Sequence, residues 1–198
     1  MAMQLATYRL FGEQGGTYEA TQVRPFLHGR TETTRTVSPA SEKFIEAMGL
    51  YAKMDEADVM IRKEKLRLLE EATRYHSQYT GNAAAAQGVD RHFLGLSMLI
   101  KDDETVPTLF SDPVFIRSKR WRVSTSHLTH PRFACWGFGE VVPDGVGIGY
   151  SILPTSCVFH ITALRENGWS EPLSELLEEA LLEMQRLVDF EKMPDSKL

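Results

Sequence analysis

The chain has 198 residues, 42% apolar and 25% charged, enough for one large domain or two small ones with a sizeable core. Its 22 basic and 27 acidic residues give a net charge of -5, which leaves no basic footprint for nucleic acid. No apolar run approaches the roughly 18 residues of a membrane span, and the N-terminus lacks the charged and apolar regions of a signal peptide.

Met3, Leu5, Tyr8 and Leu10 open the chain as an apolar segment with no cap or turn before it, as if the sequence begins inside an element. Gly12 to Gly16 reads as a turn. Tyr18 to Val37 is rich in Thr, Val and aromatic residues, which predicts extended structure. Ser38-Pro39, with Glu42 behind it, marks a helix start with proline at the first helical position.

From Asp55 to Ala86 the pattern is helical: Leu66, Leu69, Ala72, His76, Tyr79 and Ala83 recur at spacings of three and four and predict one core-facing stripe. Arg62, Lys63, Lys65 and Arg67 alternate with acidic residues as on a solvated face. Asp90 is expected to cap a further helix carrying Leu94 and Met98, and Pro107 and Pro113 break the chain into short pieces. Four strands are expected at Arg122 to Ser126, Phe133 to Phe138, Gly147 to Ile152 and Val158 to Thr162. Leu173, Leu176, Leu177, Ala180, Leu181, Met184, Leu187 and Val188 define a closing amphipathic helix. The sum is a mixed α/β protein with helices packed on a mixed sheet. The two cysteines, Cys135 and Cys157, have no second pair to complete a zinc site and are expected to be buried reduced thiols. The final Ser196-Lys197-Leu198 matches the peroxisomal address.

The chemistry concentrates in a few polar runs. His28-Gly29-Arg30-Thr31-Glu32-Thr33 offers a planar, permanently charged fork and two hydroxyls suited to a small anionic ligand. His28 and Glu32 have a spacing that would place them on one helical face, but Gly29 and the threonines argue against helix there, so the pair is set aside as catalyst. His127 and His130 lack a nearby Cys or carboxylate to complete a zinc site. Ser124 and Ser126, two apart on a strand, point to one face, where two hydroxyls suit substrate orientation or an oxyanion.

Taken in order, Tyr18-Glu19 with the His28 to Thr33 run, His76 with Tyr79-Thr80, Asp90-Arg91-His92, Leu109-Phe110-Ser111-Asp112, Ser124-Thr125-Ser126 and Phe138 to Gly145 resemble the C-terminal third of the carnitine/choline acyltransferases over nearly the whole chain. The resemblance implies the coenzyme A-dependent acyltransferase fold of the chloramphenicol acetyltransferase type, its C-terminal part only, in residues 1–195, with 196–198 as targeting signal. It implies transfer of an acyl group between coenzyme A and the carnitine hydroxyl, with a histidine as base and no acyl-enzyme. Acyl-CoA and coenzyme A are then substrates, and no resident cofactor is expected.

Carried over by position, Tyr18, Thr31 and Arg91 would bind the carnitine carboxylate by charge-assisted hydrogen bonds, with Ser124 assisting. Ser126 would donate to the oxyanion, and Phe138 would lie against the trimethylammonium group. Trp136 falls at the acyl-pocket wall, where its bulk favours acetyl or another short group. Thr31 and Arg91 favour carnitine over choline, which has no carboxylate. The coenzyme A contacts are left unassigned apart from His127, which stands where glutamine is frequent.

Glu140, Val146, Gln22 and Ser77 also depart from the family pattern, Ser77 by removing a basic contact to coenzyme A phosphate. In the family the catalytic histidine and a lysine-rich coenzyme A segment precede the residues matching Met1 to Leu10. The chain is therefore expected to supply the carnitine and oxyanion side and to be nearly inactive alone. Its expected partners are carnitine, acyl-CoA, the import receptor for the C-terminal signal, and the missing N-terminal half or a full-length partner. The alternatives are a non-catalytic carnitine-binding or partner-dependent truncated paralogue, and an enzyme of this fold with another acyl acceptor.

Overall fold

The computed structural model describes residues 1–22, 26–29, 31–51, 58–133 and 136–191. They form two compact units. One, purely helical, draws on the described residues within Met1–Gln14, Val37–His76 and Trp169–Leu198; the other, built on a sheet, draws on those within Gly15–Thr36 and Ser77–Gly168.

In the helical unit, α1 (Ala2–Phe11) ends at Gly12, whose N–H still donates to the Tyr8 carbonyl at 2.7 Å while its φ of 72° turns the chain out of the helix. Helix α2 (Pro39–Tyr51) starts as the sequence predicts, with proline in its first turn. Its cap is a reciprocal pair: the Ser38 N–H donates to Ser41 Oγ at 2.8 Å and the Ser41 N–H to Ser38 Oγ at 3.1 Å. Serine at the third helical position thus takes the part expected of Glu42. Helix α3 (Val59–Ala84) follows the predicted stripe, burying Leu69 and Ala72 in this unit, with Leu66 packed beside them. Helix α7 (Ser170–Glu191) buries Leu173, Leu177, Ala180 and Leu187. Leu181 is exposed, because the stripe is narrower than the run of leucines. Leu5, Phe44, Ile45, Met48, Leu69 and Leu187 join in one apolar core. At its rim Arg9 donates twice to Glu183, both bonds 2.8 Å long. Arg67 sits on a solvated face with Glu64 and Glu71, as expected, whereas Arg62 lies over the Phe190 ring.

The sheet unit holds five strands in the order β2-β1-β3-β4-β5: β1 (Gly16–Gln22), β2 (Thr31–Thr34), β3 (Trp121–His127), β4 (Val146–Ile152) and β5 (Cys157–Thr162). The central pairs β1/β3 and β3/β4 are parallel, and the edge pairs β1/β2 and β4/β5 are antiparallel. The expected mixed sheet is present. Helix α4 (Asp90–Met98) contacts β2, and α6 (Pro113–Ser118) contacts β1. Between them, α5 (Thr108–Ser111) ends at Asp112, whose carboxylate caps α6 by accepting from the Val114 and Phe115 N–H groups.

Three expectations are corrected in this unit. The described part of Phe133 to Phe138 is no strand: Gly137 and Gly139 interrupt the pattern, and the segment from Trp136 crosses over β4 instead of pairing beside it. Cys157 is exposed, because it opens the edge strand β5; Cys135 lies outside the described residues. Asp90 is not the cap of α4. It is the first helical residue behind Val89, and its carboxylate turns to Arg35. Arg30 and Ser196-Lys197-Leu198 also lie outside the described residues.

Candidate active site

Strand register assembles the site. Tyr18 on β1 pairs with Ser124 on β3, which pairs with Gly147 on β4, so these positions share one sheet face. Ser126 follows two residues on, opposite Gly149, and the two serines point the same way, as the spacing predicts. Ser124 is buried and Ser126 half-buried.

The glycines of β4 let main chain approach this face. A Cβ on Gly147 would lie 2.7 Å from the Gly139 carbonyl oxygen and 2.9 Å from that of Phe138; one on Gly149 would lie 2.9 Å from the Trp136 carbonyl oxygen. Trp136 to Gly139 is thereby laid across the strand, with the Thr162 hydroxyl donating to the Phe138 carbonyl. The Trp136 and Phe138 rings stack with centroids 5.8 Å apart. The next turn is pinned at Asp144, whose carboxyl is held below its usual range by the hydrogen bond from Arg120.

Arg91 arrives from α4. Its Nε donates to the Thr31 carbonyl at 3.2 Å, and its terminal nitrogen lies 3.5 Å from the Tyr18 hydroxyl. Residues separated by up to 73 positions are thus brought into one cationic corner. Thr31 contributes its carbonyl to Arg91 and leaves its side chain exposed. Tyr18 stacks on Trp121 at 4.2 Å between centroids, and the Arg35 guanidinium covers that indole at 5.5 Å. Arg35 also donates to the Asp90 carboxylate, to the Thr17 carbonyl at 2.9 Å and to the Ser118 carbonyl at 2.7 Å. Arg35, Trp121 and Tyr18 form a stack that fixes the phenol facing Arg91.

The opposite face carries a brace that no sequence motif announced. Glu19 accepts from the Thr125 hydroxyl at 2.7 Å and from the Tyr150 hydroxyl at 2.7 Å, tying β1 to β3 and β4 behind the two serines. Burial, reinforced by the Glu19 carboxylate, pushes the Tyr150 phenol well above its ordinary value, so Tyr150 remains a donor through the working pH range. Strand alternation could have separated Glu19 from Tyr18 by face, but its partners lie 106 and 131 residues away. His127 also lies on this second face, at the exposed end of β3, bonded to Thr129 at 2.8 Å and 5.1 Å from the Tyr150 ring. His28 adopts a φ of 70° in an exposed turn while Glu32 is buried in β2, so the two do not act as a pair.

A guanidinium, a phenol and two hydroxyls share a face on which the β4 glycines admit the Trp136 to Gly139 main chain: a set of groups able to hold a small anion and to donate hydrogen bonds to a second oxygen. Residues 1–179 match the family model of the choline/carnitine O-acyltransferases, and the chain belongs to that family. It is 36% identical over 201 residues to a carnitine O-acetyltransferase of Columba livia, covering 100% of this chain and 31% of that protein. A mitochondrial carnitine O-acetyltransferase of Saccharomyces cerevisiae is 40% identical over 151 residues, 76% of this chain and 22% of that protein. A choline O-acetyltransferase of Sus scrofa is 35% identical over 192 residues, 94% of this chain and 29% of that protein. The chain thus spans under a third of the length of these relatives, which include both carnitine and choline enzymes.

Proposed function

We propose that this chain is the acceptor-binding, C-terminal part of a peroxisomal carnitine O-acyltransferase of the chloramphenicol acetyltransferase-like fold, working with acetyl or another short acyl group. The observation that carries the reading is the corner where the Arg91 guanidinium meets the Tyr18 hydroxyl and the Thr31 carbonyl. A carboxylate placed there gains charge-assisted bonds, whereas an acceptor without one leaves the half-buried Arg91 guanidinium unanswered. Carnitine has that carboxylate and choline does not.

In this reading Ser124 helps seat the carboxylate and Phe138 faces the trimethylammonium group. Trp136, stacked on Phe138, closes the acyl end and limits chain length. A histidine from outside these residues takes the proton of the carnitine hydroxyl; the oxygen attacks the thioester carbonyl, and as the carbon–sulfur bond breaks the histidine returns that proton to the leaving sulfur, releasing coenzyme A. Ser126 donates to the oxygen that becomes negative, where a preorganised donor lowers the barrier most. His127 contacts coenzyme A, and the import receptor reads Ser196-Lys197-Leu198.

Titration calorimetry of the 198-residue chain tests the acceptor half. Carnitine is expected to bind well ahead of choline, and Arg91→Asn to weaken carnitine on the order of tenfold to a hundredfold, as loss of bonds to a charged group implies. Equal binding of carnitine and choline by the unaltered chain refutes the assignment. Mixing the chain with acetyl-CoA and carnitine should give almost no turnover, since an absent base costs roughly 10²–10⁴-fold. Robust turnover dependent on a histidine within these residues contradicts that half of the proposal.

A further inference from the structure

We infer that Glu32 is a positioning residue: it caps the first turn of α4 from the neighbouring strand β2 and thereby fixes where the Arg91 guanidinium stands. The inference rests on the acceptor reading above and adds to it a residue that touches no ligand yet sets the preference for one.

Glu32 is only 6% exposed. A carboxylate so buried needs hydrogen-bond donors, and among the described residues it has the Thr33 N–H at 2.8 Å and the Arg91 N–H at 3.3 Å, both to Oε1. The second matters for the site. Helix α4 begins without a cap of its own, because Val89 at the N-cap has no side-chain acceptor and Asp90 is engaged by Arg35. The exposed N–H groups of a first turn carry partial positive charge, which a carboxylate from another element answers.

Gly88 shows that the loop before α4 is shaped around this side chain. A Cβ there would lie 2.3 Å from Glu32 Cγ, 2.6 Å from Cδ and 2.9 Å from Oε2. Two consecutive residues of β2 therefore hold both ends of Arg91. The Glu32 carboxylate holds its main chain, and the Thr31 carbonyl holds its guanidinium at 3.2 Å, beside the Tyr18 hydroxyl. The Asp90–Arg35 pair adds a second tie at the same helix start. Releasing Glu32 frees the first turn of α4 while Tyr18 stays stacked on Trp121, so the two halves of the carboxylate corner separate.

The test is the ratio of carnitine to choline affinity, measured by calorimetry on the 198-residue chain and on Glu32→Gln, Glu32→Ala and Gly88→Ala. Glu32→Gln keeps an acceptor oxygen and should hold the ratio within about threefold of the unaltered chain. Glu32→Ala should lower carnitine affinity roughly tenfold, leave choline affinity unchanged and collapse the ratio. Gly88→Ala keeps the carboxylate but displaces it and should fall between the two, giving a reading if Glu32→Ala does not fold. Hydrogen exchange of the Arg91 amide should speed up in Glu32→Ala without any ligand present. If Glu32→Ala, or Gly88→Ala in its place, weakens both ligands equally or leaves the ratio intact, the positioning role is overturned. If the unaltered chain shows no carnitine preference, the acceptor reading fails, and faster Arg91 exchange in Glu32→Ala still separates that failure from failure of the cap.

Discussion

The helical unit and the sheet unit are stabilised by different physics. The helical unit buries Leu5, Phe44, Ile45, Leu69, Leu173, Leu177 and Phe190, with few polar side chains among them. The sheet unit buries Thr17, Thr21, Glu32, Thr34, Ser124, Thr125 and Ser151 beside only a few apolar residues such as Val123, Val146 and Ile148. Apolar burial is non-directional and tolerates many arrangements, whereas buried hydroxyls and carboxylates are stable only with partners in fixed geometry. The candidate site lies in the unit whose interior is directional: Glu19 ties β1 to β3 and β4, and bonds between Arg91 and β2 tie α4 beside Tyr18.

This contrast can be broken first in the helical core. Phe44 is fully buried, and Phe44→Ala should cost about 3–5 kcal/mol of stability through the cavity it leaves, read by urea denaturation. Carnitine affinity measured below the melting transition should not change; a parallel loss of affinity would end the division of labour proposed here.

A smaller loss should follow from crowding the sheet face. Gly147→Ala places a methyl group 2.7 Å from the Gly139 carbonyl oxygen and 2.8 Å from the Thr162 hydroxyl, so the crossing segment must move. About 1–3 kcal/mol of destabilisation is expected, accompanied by altered near-ultraviolet dichroism from the Trp136–Phe138 stack. Unchanged stability and spectrum would show that the close approach is not required.

The smallest effect belongs to the brace behind the serines. Tyr150→Phe removes one donor to Glu19 and should cost about 1 kcal/mol at neutral pH. Because the Tyr150 phenol is raised in the folded chain, its contribution is complete below the ordinary tyrosine value of about 10 and shrinks as pH rises beyond it. The stability gap between the two proteins should therefore be flat from pH 6 to 9 and narrow in stronger alkali; a gap that widens there contradicts the sign.

Local periodicity made the helices legible. The three- and four-residue spacing through Leu69 and Ala72, the serine-proline start of α2 and the stripe through Leu173 and Leu177 are properties of neighbours along one chain. The strands around Ser124 and Gly147 were legible for the same reason. Phe133 to Phe138 was not, since its aromatic content reads as strand while the decision to cross β4 rests on glycines ten residues away. Asp90 reads as the cap of its own helix because a sequence shows the nearest acceptor and not the one that arrives from β2.

The order of amino acids already carries the family resemblance, the mixed α/β class, the shared face of Ser124 and Ser126 and the candidates Tyr18, Thr31 and Arg91. The folded chain adds that Arg91 meets the Thr31 carbonyl, that Glu19 braces Thr125 and Tyr150 from the far face, and that Glu32 accepts from the Arg91 N–H at the start of α4. Periodicity and capping act over a few residues and leave a mark in the order of amino acids. A hydrogen bond between groups 59 or 131 residues apart depends on strand order and register, which the chain fixes only when the sheet has formed.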